Sequence, residues 1–101
     1  MIVQYCKIIQ KPNCVLFYRY SKELNGYFIA GLLIKDTLEG KLDFVSIWKY
    51  FIQDIVVKDD IYCSLFFEEK ANILEQTTTY HSTRDGVDIY KVENYLQNMN
   101  K

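Results

Sequence analysis

A chain of 101 residues, 50% hydrophobic and 25% charged, carries enough apolar surface for one packed domain and too much for a disordered segment. A formal net charge of −1 argues against the concentrated cationic face of a sequence-independent nucleic-acid binder, and equally against the acidic excess of a nucleic-acid mimic. The longest apolar run, Tyr27 to Ile34, is far short of the roughly 20 residues that a membrane-spanning helix needs. No basic stretch followed by an apolar segment and a cleavage site opens the sequence, so a cytoplasmic protein is expected. Cys6, Cys14 and Cys63 are odd in number and widely spaced, which fits reduced thiols.

In chain order, Ile2 to Gln10 is β-branched and apolar enough for a strand, and Lys11-Pro12-Asn13 breaks it, because proline lacks a donor and belongs in a turn. Cys14 to Tyr20 is a second strand, with Cys14, Leu16, Tyr18 and Tyr20 on one side and Val15, Phe17 and Arg19 on the other. Apolar residues on both sides predict an interior strand. The pair Asn25-Gly26 tolerates positive φ and marks a turn into a third strand, Tyr27 to Lys35. Gly31 inside that strand suggests a bulge or close approach. Three strands joined by short turns form an antiparallel meander. Asp36 to Lys41 is expected to be a loop, after which Asp43 caps a helix running to Val56. Phe44, Ile47, Trp48, Phe51 and Ile55 form its apolar stripe.

After a turn at Lys58-Asp59-Asp60, Ile61 to Phe67 reads as a buried strand and Glu68 to Gln76 as a short helix with acidic residues at its positive end. Thr77 to Thr83 and Val87 to Glu93 form a hairpin closed by Asp85-Gly86, a type I′ signal. Val92, Tyr95, Leu96 and Met99 have helical spacing, which places a short last helix over Glu93 to Asn100. The chain therefore reads as one α+β domain over residues 1–101, ordered β-β-β-α-β-α-β-β, its sheet mainly antiparallel.

Candidate chemistry is sparse. His81 stands near Asp85 and Asp88, where an acid–base pair would need a nucleophile that the sequence does not specify. One histidine and three scattered cysteines do not supply a zinc set, and Asp59-Asp60 and Glu68-Glu69 lack the alternation of a calcium loop. Tyr18-Arg19-Tyr20 with Lys22 mixes aromatics and positive charge, as a base-stacking strand does. Nine tyrosines and six phenylalanines exceed what a core of this size requires. Tyrosine joins a rigid apolar body to a polar tip and is enriched at interfaces. On the closing hairpin and last helix, Tyr80, Tyr90 and Tyr95 with Arg84 form the expected interface.

From Ile61 to Glu93 the strand, helix and hairpin, with Glu69-Lys-Ala-Asn-Ile-Leu-Glu-Gln-Thr-Thr-Thr-Tyr80 and the closing Asp88-Ile-Tyr-Lys-Val-Glu93, resemble the C-terminal half of the GNAT superfamily of N-acetyltransferases. The resemblance covers residues 27 to 93 and implies a truncated fold of that kind. It also implies that acetyl-CoA pyrophosphate would meet Thr37-Leu38-Glu39-Gly40-Lys41-Leu42. Of that superfamily's loop pattern only Gly40 is kept: Thr37 replaces Arg or Gln, Leu42 a small residue, and Glu39 adds an unfavourable charge. The tyrosine that often protonates the departing thiolate has no counterpart near Leu74 and Glu75.

The expected function is accordingly a small non-catalytic protein-binding domain, with no catalytic residue, cofactor or metal. Its partner would be another protein or a second copy of the chain. Lysine makes up most of the basic residues, and Ile, Tyr and Asn abound, as in the products of AT-rich coding sequences. That composition suits a phage or mobile-element accessory protein acting on a host factor. The alternatives are an acyl-CoA-binding acetyltransferase using Gly40 and a single-stranded nucleic-acid binder using Tyr18-Arg19-Tyr20.

Overall fold

A computed structural model describes residues 6–64, 67 and 77–93. Among the described residues, six strands form one mixed sheet: β1 (Lys7–Lys11), β2 (Cys14–Ser21), β3 (Gly26–Ile34), β4 (Asp60–Ser64), β5 (Thr77–Arg84) and β6 (Val87–Glu93). Their spatial order is β1-β2-β3-β4-β6-β5. The first three are the expected antiparallel meander. Between β3 and β4 runs helix α1 (Leu38–Tyr50), which continues without a break into a π-helical turn, Phe51–Val56. This crossover makes β3 and β4 parallel, while β4 with β6 and β6 with β5 are antiparallel. The protein is α+β as the sequence predicts, but its sheet holds one parallel pair. Phe67 is helical and belongs to no strand, so the fourth strand is shorter than Ile61 to Phe67. The short helix expected over Glu68 to Gln76 and the last helix over Glu93 to Asn100 lie outside the described residues. Among the described residues, no helix is long and apolar enough to cross a membrane.

The helix starts earlier than its apolar stripe suggests. Thr37 is the N-cap, in extended conformation, and its hydroxyl accepts from the Gly40 N–H at 3.1 Å. Of the stretch expected as a loop, Asp36 and Thr37 precede the helix, and Leu38 to Lys41 form the first turn of α1. Asp43 does not cap it; its carboxylate accepts from the backbone N–H and the side-chain amide of Asn13 at 3.0 and 3.1 Å. Asn13 in turn accepts from the Lys35 N–H through its carbonyl. The β1–β2 turn, the end of β3 and the helix are thus laced together. Gly40 is buried where the helix crosses the chain just before it: a Cβ there would fall on the Lys35 carbonyl.

Phe44, Ile47, Trp48 and Phe51 are buried as the stripe predicts. Beyond Phe51 the pattern shifts. Ile52 and Val56 are buried, while Ile55 is only half-buried. The cause is the π turn, in which the Val57 N–H reaches back five residues to the Ile52 carbonyl. Each wider turn rotates the following side chains relative to a 3.6-residue period. The turn ends at Val57, at φ 59° and ψ −85°, a strained conformation for a β-branched residue.

The core lies between this helix and one sheet face. Trp48, 1% exposed, stacks on Phe67 at 5.4 Å and meets Phe51 at 5.5 Å, and Phe51 meets Tyr18 at 5.0 Å. The Trp48 indole N–H has no hydrogen-bond partner among the described residues. On the other sheet face a small cluster, Leu24, Tyr62 and Ile89 with Phe28 against it, sits under the β2–β3 turn. Arg19 lies over the Phe28 ring at 5.0 Å. A register shift opposite Phe17 and Tyr18 leaves Ala30 as the extra residue, beside the Gly31 that marks the bulge in the sequence. A second shift makes His81 the extra residue of β5. At the hairpin tip Asp85 and Gly86 both have positive φ, as a type I′ turn requires.

Two substitutions check this packing. Trp48→Ala is expected to cost about 3–5 kcal/mol, by lost transfer energy and a residual cavity, out of a total of about 5–15 kcal/mol. The denaturation midpoint should fall accordingly, and an unchanged midpoint would contradict the packing. Gly40→Ala normally stabilises a helix by up to about 1 kcal/mol. Here the opposite sign is expected, because the added methyl meets the Lys35 carbonyl and the start of the helix must shift.

Candidate functional site

Where β2 ends and β3 begins, the sheet extends past the π turn and leaves a groove of about 900 Å³, lined by Lys7, Tyr18, Tyr20, Tyr27, Asp54 and Ile55, with the residues Arg19 to Glu23 of the strand end and turn along its edge. Strand alternation produces its floor. Tyr18 and Tyr20 point to the helix side of β2, and the short turn after Ser21 pairs Tyr20 with Tyr27 across the hairpin. The Tyr20 and Tyr27 rings meet edge to face at 5.3 Å, and Tyr27 meets Phe51 in the same way at 6.0 Å. The Tyr20 hydroxyl donates to Asn25 Oδ1, while the Ser21 hydroxyl accepts from the Leu24 N–H and so serves the turn. Tyr18 is only 5% exposed, and burial, followed by the nearby phenols of Tyr50 and Tyr27, pushes its hydroxyl above the usual phenol range. It is therefore a donor at neutral pH.

Charge around the groove is mixed but unevenly engaged. Glu23 is held by Arg84 at 3.4 Å. Lys7 pairs in register with Tyr18 and so stands on the same side of the sheet. Lys7, Lys22 and Asp54 have no ion-pair partner among the described residues. What the groove offers is a rigid aromatic floor, hydroxyl and ammonium donors, and one carboxylate on the helix wall.

The expected interface residues fall differently. Tyr80 is 59% exposed, and its ring meets Tyr90 edge to face at 6.0 Å. Its hydroxyl bonds Thr83 Oγ1 at 2.5 Å, and Thr83 donates to Asp88 Oδ1 at 2.6 Å. Tyr90 is half-buried and packs against the core. Arg84 is spent on Ser82 and Glu23, on the strand face opposite Thr83. Tyr80 and Tyr90 therefore meet, Arg84 stands apart from them, and Tyr95 lies outside the described residues.

Other singled-out residues also find places. Tyr18 and Tyr20 share the groove, but Arg19 points to the opposite face, so Tyr18-Arg19-Tyr20 does not form one surface. Gly40 is buried in the first turn of α1 with its N–H taken by Thr37. His81 packs its ring against Tyr62 at 5.0 Å and bonds Ser82 Oγ through Nδ1. Tyr27, Lys7 and Asp54 did not stand out in the sequence, and Ile55 did so only as part of the helix's apolar stripe. For Tyr27 a signal existed, since the turn at Asn25-Gly26 sets it opposite Tyr20. For Asp54 and Ile55 there was none, because their position depends on the π turn.

Comparison with protein-family models, curated proteins and solved structures finds no match for this chain.

Cys14, buried beside Asp43, has its thiol pushed up from 9.0 to about 11, first by burial and then by that carboxylate. The unfolded chain loses this proton near pH 9, whereas the native chain keeps it until about pH 11. Stability from this group is complete below pH 9 and is lost as pH rises through that interval. The urea midpoint should fall from pH 9 to 11 more steeply in the wild type than in Cys14→Ala. Equal slopes would mean that Cys14 ionises as readily in the native state as in the unfolded one.

Proposed function

We propose that the chain is a small non-catalytic domain that works by binding another protein, and that the groove is its docking site. The observation that carries this reading is the convergence of Tyr18, Tyr20 and Tyr27 on one open groove. Their rings are already fixed by mutual contacts and by Phe51, so little side-chain freedom remains to be lost on binding. Tyrosines held in this way are characteristic anchors of protein interfaces. The groove falls within the roughly 300–1,000 Å³ of pockets that enclose a small ligand or a few side chains. The composition supports an accessory protein of a phage or mobile element whose partner is a host factor. The acyl-CoA reading loses support because the Gly40 N–H and the space beside it are taken.

Partner capture from lysate of the source cells, with mass spectrometry, tests this reading. Tyr20→Ala should lose a partner that the wild type and Tyr80→Ala both retain, at unchanged melting temperature. Loss in Tyr80→Ala alone would move the interface to the closing hairpin. A partner retained by both variants would defeat the groove reading. So would a sedimentation profile in which Tyr20→Ala leaves a dimer intact and the dimer is the only complex formed.

A further inference from the structure

We infer that the groove recognises a carboxylate carried next to an apolar or aromatic side chain, so that its occupant is an acidic segment of the partner protein. The inference rests on the groove being the docking site and adds what that site selects. Tyr18 is 5% exposed and lines the groove; its hydroxyl has no hydrogen-bond partner among the described residues and is not sealed from solvent as the Trp48 indole N–H is. A donor that its packed ring already holds at the groove can be taken by an incoming acceptor with little further loss of side-chain freedom. Lys7 stands beside it across the β1–β2 pair, and Lys22 lies at the rim. A hydroxyl and an ammonium converging on one carboxylate give charge-assisted hydrogen bonds, stronger than neutral ones. Arg84 already holds Glu23, which leaves Asp54 as the opposing carboxylate without an ion-pair partner among the described residues.

The apolar half of the recognition follows from Tyr20, Tyr27 and Ile55, which present ring and aliphatic surface around those donors. A protein segment suits this arrangement better than a nucleic-acid strand. A strand brings a phosphate at every nucleotide, and the groove is lined by two ammonium groups together with the Asp54 carboxylate. Arg19, the guanidinium nearest in sequence, is stacked on Phe28 on the other face.

Fluorescence anisotropy at low salt tests the inference with three labelled probes: a peptide of Glu, Phe and Ser, the same peptide with Gln for Glu, and a short oligothymidine. The Glu peptide should bind about tenfold or more tightly than the Gln peptide, and salt should weaken it. Tyr18→Phe keeps the ring and removes only the donor. It and Lys7→Gln should each weaken the Glu peptide about five- to tenfold, at unchanged melting temperature. Asp54→Asn should strengthen it, because a repelling charge is removed. Equal binding of Glu and Gln peptides would overturn carboxylate recognition and leave the groove as a docking site. Tighter binding of oligothymidine would replace the peptide by a nucleic acid. Glu-peptide binding that survives Tyr18→Phe and Lys7→Gln but is lost in Tyr80→Ala would overturn both the inference and the groove reading. Should no probe bind while Tyr20→Ala still abolishes partner capture, carboxylate recognition fails and docking at the groove stands.

Discussion

The architecture depends on the aromatic seam that joins the helix to the sheet. It runs from Phe67 through Trp48 and Phe51 to Tyr18 and Tyr27. Each of these rings contributes a large apolar area, and edge-to-face or stacked contacts add about 0.5–1.5 kcal/mol per pair beyond burial. The inner end of the seam, Trp48 against Phe67, is fully buried. Its outer end, Tyr27 and then Tyr20, emerges into the groove. The same contacts that hold the helix down therefore hold the groove tyrosines in place, and a change in the core at Phe51 reaches the surface within one residue contact.

The π turn decides which residues meet at that outer end. In a regular α-helix, Ile55 would follow Phe51 on the buried stripe. The added residue in the turn brings Ile52 and Val56 inward instead and leaves Asp54 and Ile55 on the groove wall. Such turns carry poorer hydrogen bonds than an α-helix and recur at functional sites. The positive φ of Val57, of order 1–3 kcal/mol in strain, is stored where the turn gives way to the path into β4. Burial of Ile52 and Val56, both about 1% exposed, offsets it.

Much of the fold was legible in the sequence where local chemistry decides the outcome. The meander, the hairpin with its Asp85-Gly86 turn, and the burial of Phe44, Ile47, Trp48 and Phe51 follow from alternation, positive-φ turn residues and helical spacing. The helix start was misplaced because Thr37 and Asp43 are both good caps by type, and the choice between them is tertiary: Asn13 claims the Asp43 carboxylate. Gly40, which suggested a phosphate loop, is explained by the close passage of Lys35. The parallel β3–β4 pair follows from a helical crossover between the two strands, a connection the sequence did contain. The groove was half legible: Tyr18, Tyr20 and Lys22 stood out as a group, but their shared side, and the exclusion of Arg19 from it, follow from register.

The β2–β3 turn links the two tyrosine surfaces. Ser21 and Asn25 hold its backbone and the Tyr20 hydroxyl, and Leu24 anchors it against Tyr62 and Ile89 on the other sheet face. Glu23, in the same turn, reaches Arg84 near the tip of the closing hairpin. An exposed ion pair of this kind adds only about 0–1 kcal/mol to stability. Its larger consequence is electrostatic and local: it withdraws a carboxylate from the groove rim and a guanidinium from the hairpin surface. Lys7 and Lys22 are then opposed by Asp54 alone among the charged groups of the groove, and Tyr80 with Tyr90 is left as an aromatic patch bordered by hydroxyls and Asp88. Turn and hairpin thus divide the available charge, so that the donor-rich surface is the groove and the charge-poor one is the hairpin. That division, more than the number of exposed tyrosines, ranks the groove ahead of the hairpin as the proposed docking surface.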